Sequence, residues 1–281
     1  MDYSVKVIEI GKIKISNNLP FVFIGGPCAI ESREHSAFIC GKIKEICDEL
    51  DIPFIFKSSF DKANRTSFSG NRGVGIDEGL SILKEVRETY NVPVITDVHL
   101  PDQCKKVAEF VDILQIPAFL SRQTDLLEAA AKTGKTLHIK KAQFMSPNDM
   151  KNVIAKVNNF GNENIMLCDR GTCFGYNTLI SDFRGLPIMA KTGYPVVFDA
   201  THSIQQPSSM GSCSGGERQF APILARAAVA VGVAGIFMEV HENPDSAPCD
   251  GPNMVYLSDL KQILNELKML DNVAKKHARP I

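Results

Sequence analysis

Short apolar runs rich in β-branched and aromatic residues recur along the whole chain. They are Phe21–Gly26, Pro53–Lys57, Pro93–Val98, Ile113–Ile116, Thr136–Lys141, Ile165–Asp169, Pro195–Asp199 and Gly235–Val240. Between them lie segments whose apolar positions repeat with helical spacing, among them His35–Leu50, Asp77–Tyr90, Pro101–Phe110, Gln123–Thr133, Pro147–Asn158 and Phe220–Val231. Continuous apolar strands alternating with amphipathic helices predict a parallel sheet covered on both faces. Eight such units in 281 residues predict an α/β fold of the (β/α)₈ TIM-barrel type. A doubly wound open sheet is the alternative, weaker because no GxGxxG turn follows the first strand. Ahead of that strand, Val5–Ser16 alternates around Gly11 and predicts a β-hairpin placed to plug the N-terminal end of the barrel. Leu257–Lys276 closes the chain as a last amphipathic helix. No linker or low-complexity segment interrupts residues 1–281, so the chain reads as one domain.

Composition narrows the class without choosing a chemistry. Apolar content of 44% and charged content of 22% are those of a globular chain long enough to bury a full core. The net charge of −1 leaves no overall basic field for nucleic acid or an anionic membrane. No apolar run is long enough to span a bilayer, and the N-terminus lacks a signal-peptide layout, so the cytoplasm is expected. The eight cysteines (28, 40, 47, 104, 168, 173, 213 and 249) form no CxxC pair and read as free thiols, with one as a possible metal ligand.

The chemistry concentrates where the second strand ends. Phe54–Gly75 begins apolar and then sets Lys57, Lys62, Arg65 and Arg72 among serines, threonine, asparagine and glycines. Cations with hydroxyl donors and close-approaching glycine backbone suit phosphate. In a barrel the catalytic groups sit at the C-terminal strand ends. Those ends supply Cys28, Lys57, Asp97, Gln115, Lys140 with Lys141, Arg170, His202 and Glu239. Lys57, Lys62, Arg65, Lys140 and Arg170 would repel one another at one rim unless anions were bound, which points to anionic substrates. The competing account pairs each with a nearby carboxylate such as Asp61 or Asp169. Cys28, His202, Glu239 and Asp250 offer thiolate, imidazole and carboxylates, a donor set for a divalent metal such as zinc or ferrous iron. His99 and His241 also lie near strand ends and compete with His202.

Several stretches carry a resemblance to a known family. FKSSFDKANRTS (Phe56–Ser67), DILQIPAFLSRQTDL (Asp112–Leu126), KKAQFMSPNDM (Lys140–Met150), RGTCFGYN (Arg170–Asn177), VVFDATHSIQQP (Val196–Pro207) and FMEVHENPDSAPCDGP (Phe237–Pro252) together resemble 3-deoxy-D-manno-octulosonate 8-phosphate synthases. The match runs in order from about Gly25 to Pro252, and the stretch KANR sets it apart from 3-deoxy-heptulosonate 7-phosphate synthases, with their KPRT-like motif. The resemblance implies a (β/α)₈ barrel, usually a homotetramer. It implies condensation of phosphoenolpyruvate with arabinose 5-phosphate and water, feeding lipopolysaccharide synthesis. It assigns Lys57, Ser59, Lys62, Lys140 and Arg170 to phosphoenolpyruvate, with Lys140 also a candidate proton donor. Asn64, Arg65 and Thr66 go to arabinose 5-phosphate, Arg65 and Thr66 on its phosphate. Asp97, Gln115 and Pro117 line the pocket, and Cys28, His202, Glu239 and Asp250 take the metal side, for zinc, iron or manganese.

The chain mixes two branches of that family. Cys28, in GGPCAIES, is similar to the metal-dependent branch, whereas Cys249-Asp250-Gly251-Pro252 resembles the loop of the metal-independent branch. Asp169 and Leu100 stand where relatives often carry glutamate. Three rivals remain at this level: the same chemistry on another aldose, a sugar-phosphate binder without catalysis, and a metal hydrolase built on Cys28. The Gln205–Glu217 stretch, rich in serine and glycine, suits either a mobile or a fixed loop over substrate.

Overall fold

The computed structural model describes residues 5–211 and 214–277. Eight parallel strands, Val22–Gly26, Phe54–Lys57, Val94–Asp97, Ile113–Ile116, Thr136–Lys140, Ile165–Asp169, Val196–Asp199 and Gly235–His241, pair in chain order. The eighth also pairs with the first, so the sheet closes into a (β/α)₈ barrel and the open alternative falls. A short strand, Val255–Tyr256, adds beside the end of the eighth. No described helix is long and apolar enough to cross a membrane.

The return helices start and stop where local chemistry dictates. Ser32 caps Arg33–Glu49 by accepting from the His35 N–H at 3.1 Å, and Ile39, Cys40, Ile43 and Cys47 bury one face. Pro101 opens Pro101–Ala108 in the first-turn position that needs no N–H. Gly232 ends Ala221–Val231 in the left-handed region, at φ +98°. Ile76–Tyr90, Thr124–Ala131, Met150–Asn159 and Leu257–Lys276 complete the predicted helices within a few residues of their expected ends. Gly185–Ala190, between the sixth and seventh strands, is only six residues long and too short to display a helical period.

Two apolar layers result. The outer layer lies between strands and helices. The inner one joins Ile8, Ile10 and Ile15 of the N-terminal hairpin to Val22, Ile55, Ile95, Ile113 and Val197 at the lower ends of barrel strands. The hairpin thus plugs the N-terminal end, leaving the C-terminal ends as the open face. Alternation along each strand then decides what faces inward. Lys140 points into the barrel mouth, whereas Lys141 turns away to reach Thr172 Oγ1 at 3.1 Å and Asp169 at 3.6 Å. The seven described cysteines are free thiols.

Gly26 lets the first and second strands converge at this rim. A β-carbon there would overlap the Lys57 carbonyl oxygen, which is backbone and cannot swing away. Gly26→Ala is therefore expected to destabilise the fold by about 1–3 kcal/mol, the range for overpacking. Denaturant titration checks this, and an unchanged midpoint would mean the rim is softer than its packing indicates.

Candidate active site

At the open face lies a cleft of about 380 Å³ lined by Lys57, Lys62, Asn64, Arg65, Thr66, Asp97, Gln115, Pro117, Lys140, Arg170, His202 and Asp250. Cys28, Ser59 and Glu239 lie fully buried beneath it. A larger concavity of about 590 Å³ sits at the other end of the barrel, beside the hairpin, away from these groups.

The second strand and the loop after it build one wall. Ser59 Oγ accepts from Lys57 Nζ at 3.0 Å and from Lys62 Nζ at 2.9 Å, and donates to Asp97. One hydroxyl proton and two lone pairs are thereby all used. Burial would raise the Asp97 carboxyl, but Lys57 and Lys62 outweigh it and hold Asp97 well below the usual range. Burial would lower Lys62; nearby Cys28, Glu239 and Asp97 more than reverse that. Further along the loop, Arg65 buries Nε and Nη2 with no hydrogen-bond partner among the described residues. Thr66 Oγ1 meets Ser208 Oγ at 3.5 Å, bringing this loop to the one after the seventh strand. That second loop is tied at its base, where Gln205–Gln206 pairs antiparallel with Gly215–Gly216; residues 212 and 213 lie outside the described residues.

The opposite wall carries a second cationic group. Lys140 pairs with Asp199 and lies over the Phe237 ring, 3.6 Å from its centroid. Arg170 donates from Nη2 to Gln205 at 2.8 Å, while its buried Nη1 has no partner among the described residues. Burial pulls the Arg170 guanidinium below its ordinary value. The cations are thus partly balanced, but not by the carboxylates proximity in sequence had suggested. Asp61 takes Arg72 at 2.5 Å and Asp169 takes Lys141. The working partners are Asp97, Asp199 and Glu239.

Asp199 is the residue that sequence reasoning missed. It ends the seventh strand, so the strand-end rule that selected its neighbours could have found it. Its Oδ1 accepts from Thr201 Oγ1 at 3.1 Å and from the His202 N–H at 2.8 Å, and Oδ2 stands 2.7 Å from His202 Nδ1. His202 Nε2 then faces Glu239 at 3.7 Å.

Cys28, Glu239 and Asp250 bring one ligand atom each to within 4.8 Å of one another. His202 stands beside Glu239 but outside that group, with Asp199 at its Nδ1 and Nε2 turned to Glu239. Neither Glu239 oxygen accepts a hydrogen bond among the described residues; Lys57 lies at 3.5 Å and Lys62 at 3.9 Å. Cys28 Sγ donates to Asp250 Oδ2 at 3.1 Å, and burial pushes its thiol well up. Burial would raise Asp250 too, but His202 and Lys62 hold it below its ordinary value. Of the rival histidines, His99 lines the cleft. His241 is engaged elsewhere, with Glu31 at 2.8 Å on Nε2 and the Asn243 N–H at 2.9 Å on Nδ1. Cations on two walls and a thiol–carboxylate–imidazole corner can hold two anionic groups around a reacting centre.

This is the open end of a (β/α)₈ barrel, lined by cations on two walls. Comparison with known proteins gives its family: residues 3–276 match the DAHP synthetase I family. A 2-dehydro-3-deoxyphosphooctonate aldolase of Granulibacter bethesdensis is 58% identical over 270 residues, 96% of each chain. Proteins of the same name from Rickettsia bellii and Agrobacterium fabrum are 56% and 57% identical, over 96% and 94% of this chain and 99% and 94% of theirs. The chain belongs to the DAHP synthetase I family and, within it, to the 2-dehydro-3-deoxyphosphooctonate aldolases.

Proposed function

We propose that the protein condenses phosphoenolpyruvate with D-arabinose 5-phosphate and water, giving 3-deoxy-D-manno-octulosonate 8-phosphate and phosphate, in the cytoplasm, for lipopolysaccharide synthesis. One observation carries the site assignment. Arg65 and Arg170, on loops four strands apart around the rim, both aim unpartnered buried donors into one cation-lined cleft. Buried donors without acceptors are costly and fit two bound anions. Lys57, Ser59, Lys62, Lys140 and Arg170 take phosphoenolpyruvate, offsetting its carboxylate and phosphate. Asn64, Arg65 and Thr66 take arabinose 5-phosphate. Carbon 3 of the enol attacks the sugar aldehyde and water adds at carbon 2, with Lys140 placed to give a proton. Asp97, Gln115 and Pro117 wall the pocket.

Cys28, His202, Glu239 and Asp250 would hold a divalent metal. The soft sulfur donor fits zinc or iron, and the orphaned carboxylate oxygens of Glu239 also suit manganese. Such an ion, when bound, positions or polarises water or the aldehyde. Asp199 would orient His202 for that role, as second carboxylates do at metal sites. Assembly as a homotetramer belongs to the same reading. It is supported by Phe119, Phe144, Phe174 and Tyr176, large apolar side chains left exposed on loops at this end of the barrel.

Phosphate release from the two substrates tests the reading. Release is expected with arabinose 5-phosphate, lost on chelation and restored by a divalent ion. Release with erythrose 4-phosphate alone would mean the wrong aldose. Full activity after chelation, with no metal found by elemental analysis, would remove the metal from the reading and leave Cys28 without that role.

A further inference from the structure

Beneath the cleft wall, the barrel interior carries a ladder of polar side chains. Asp97, Gln115 and His138 are direct register partners on the third, fourth and fifth strands. All three share the inward parity of Lys140, with His138 one layer below it. His138 is fully buried and does not line the cleft, so it touches no substrate. Its Nδ1 lies 3.0 Å from Gln115 Oε1, and the Gln115 amide nitrogen donates to Asp97 Oδ1. Asp97 Oδ2 accepts from Ser59, the hydroxyl that receives both Lys57 and Lys62.

The direction of donation along this ladder is forced. Asp97 is ionised, so Gln115 must present its NH₂ to Asp97 and its carbonyl to His138. Only the Nδ1–H tautomer of His138 satisfies that carbonyl. Burial, then the charge of Lys140, pushes the ring's pKa down to about 3, so it is neutral at working pH and free to adopt that tautomer. Its Nε2 has no partner among the described residues, which leaves the Gln115 contact as the ring's polar tie. Phe237, stacked at 6.2 Å between centroids, keeps the ring in plane for it.

We propose that His138 is a positioning residue for phosphoenolpyruvate. Its Nδ1–H locks the Gln115 amide, Gln115 anchors Asp97, and Asp97 holds the Ser59, Lys57 and Lys62 group against the anion. This rests on the assignment of Lys57 and Lys62 to phosphoenolpyruvate made above.

The test uses the whole enzyme and steady-state kinetics in both substrates. His138→Leu is expected to raise the KM for phosphoenolpyruvate about ten- to a hundred-fold, as loss of a buried hydrogen-bond partner does, and to move that for arabinose 5-phosphate less. His138→Asn places an amide nitrogen where Nδ1 stands and is expected to restore most of the loss, with the wild-type pH profile. In a Gln115→Ala background, His138→Leu should add nothing, whereas a packing role would add its full effect. An unchanged KM in His138→Leu, equal damage in His138→Asn, or additive loss would each overturn the proposal. Should His138→Leu not fold, the asparagine variant and its pH profile still decide. Lys57→Met run in parallel separates the two levels. If it leaves the phosphoenolpyruvate KM unchanged, the anion assignment falls and this proposal with it. If it raises that KM and His138→Leu does not, only the role of His138 falls.

Discussion

Lys140→Ala is expected to lower turnover about 10³-fold, the upper range for removing one charge-stabilising group from a preorganised site. Lys140 is only 4% exposed, yet its ammonium reaches the cleft. On the proposed assignment it is both an anion partner and a proton source, so its loss is expected to affect binding and chemistry together. The fold should survive, because Asp199 keeps Thr201 Oγ1, the His202 N–H and the His202 ring as partners. Circular dichroism and a thermal melt check folding; phosphate release checks turnover. A folded variant with near-normal turnover would take Lys140 out of the phosphoenolpyruvate site.

Asp199→Asn is expected to cost nearly as much, about 10²–10³-fold in kcat/KM, through two residues together. The carboxylate is fully buried between Lys140 and His202. Burial alone would raise its pKa; His202 and Lys140 beside it outweigh that and hold it well below the usual carboxylate range. An asparagine keeps the shape but leaves Lys140 a buried cation without its counter-charge, a change of about 3–5 kcal/mol when a buried pair is broken. Stability should therefore fall along with activity, most visibly in the denaturation midpoint. The double variant Asp199→Asn with Lys140→Ala should lose less activity than the two single losses combined, because one of the two routes of Asp199 runs through Lys140. Additive losses would separate Asp199 from Lys140 and leave it acting through His202 only.

Much of this site is legible in the sequence. The strand ends follow from where apolar runs stop, and that rule places Lys57, Asp97, Gln115, Lys140, Arg170 and Glu239 at the rim. The loop KANRTS announces itself by composition, since cations, hydroxyls and an amide cluster within a few residues. The two exceptions have different causes. Asp199 ends its strand as plainly as Asp97 does, but stands beside His202, whose imidazole is the more familiar catalytic group. His138 sits in the middle of an apolar run, where a lone histidine reads as core.

Periodicity alone determined the alternation of strand and helix and the N-terminal hairpin, because burial of apolar faces is written locally in the order of residues, while the choice of closed barrel over open sheet waited for the pairing of the eighth strand with the first. Motif resemblance added the rim positions. Only the closed barrel decided who meets whom. Lys140 and Lys141 are neighbours in sequence, yet strand parity sends one to the cleft and the other to Asp169. Lys140 finds Asp199 two strands away, and Asp97 meets Gln115 and His138 through the register of three strands. Those pairings depend on register and closure, which sum contacts over the whole sheet and leave no local mark in the sequence.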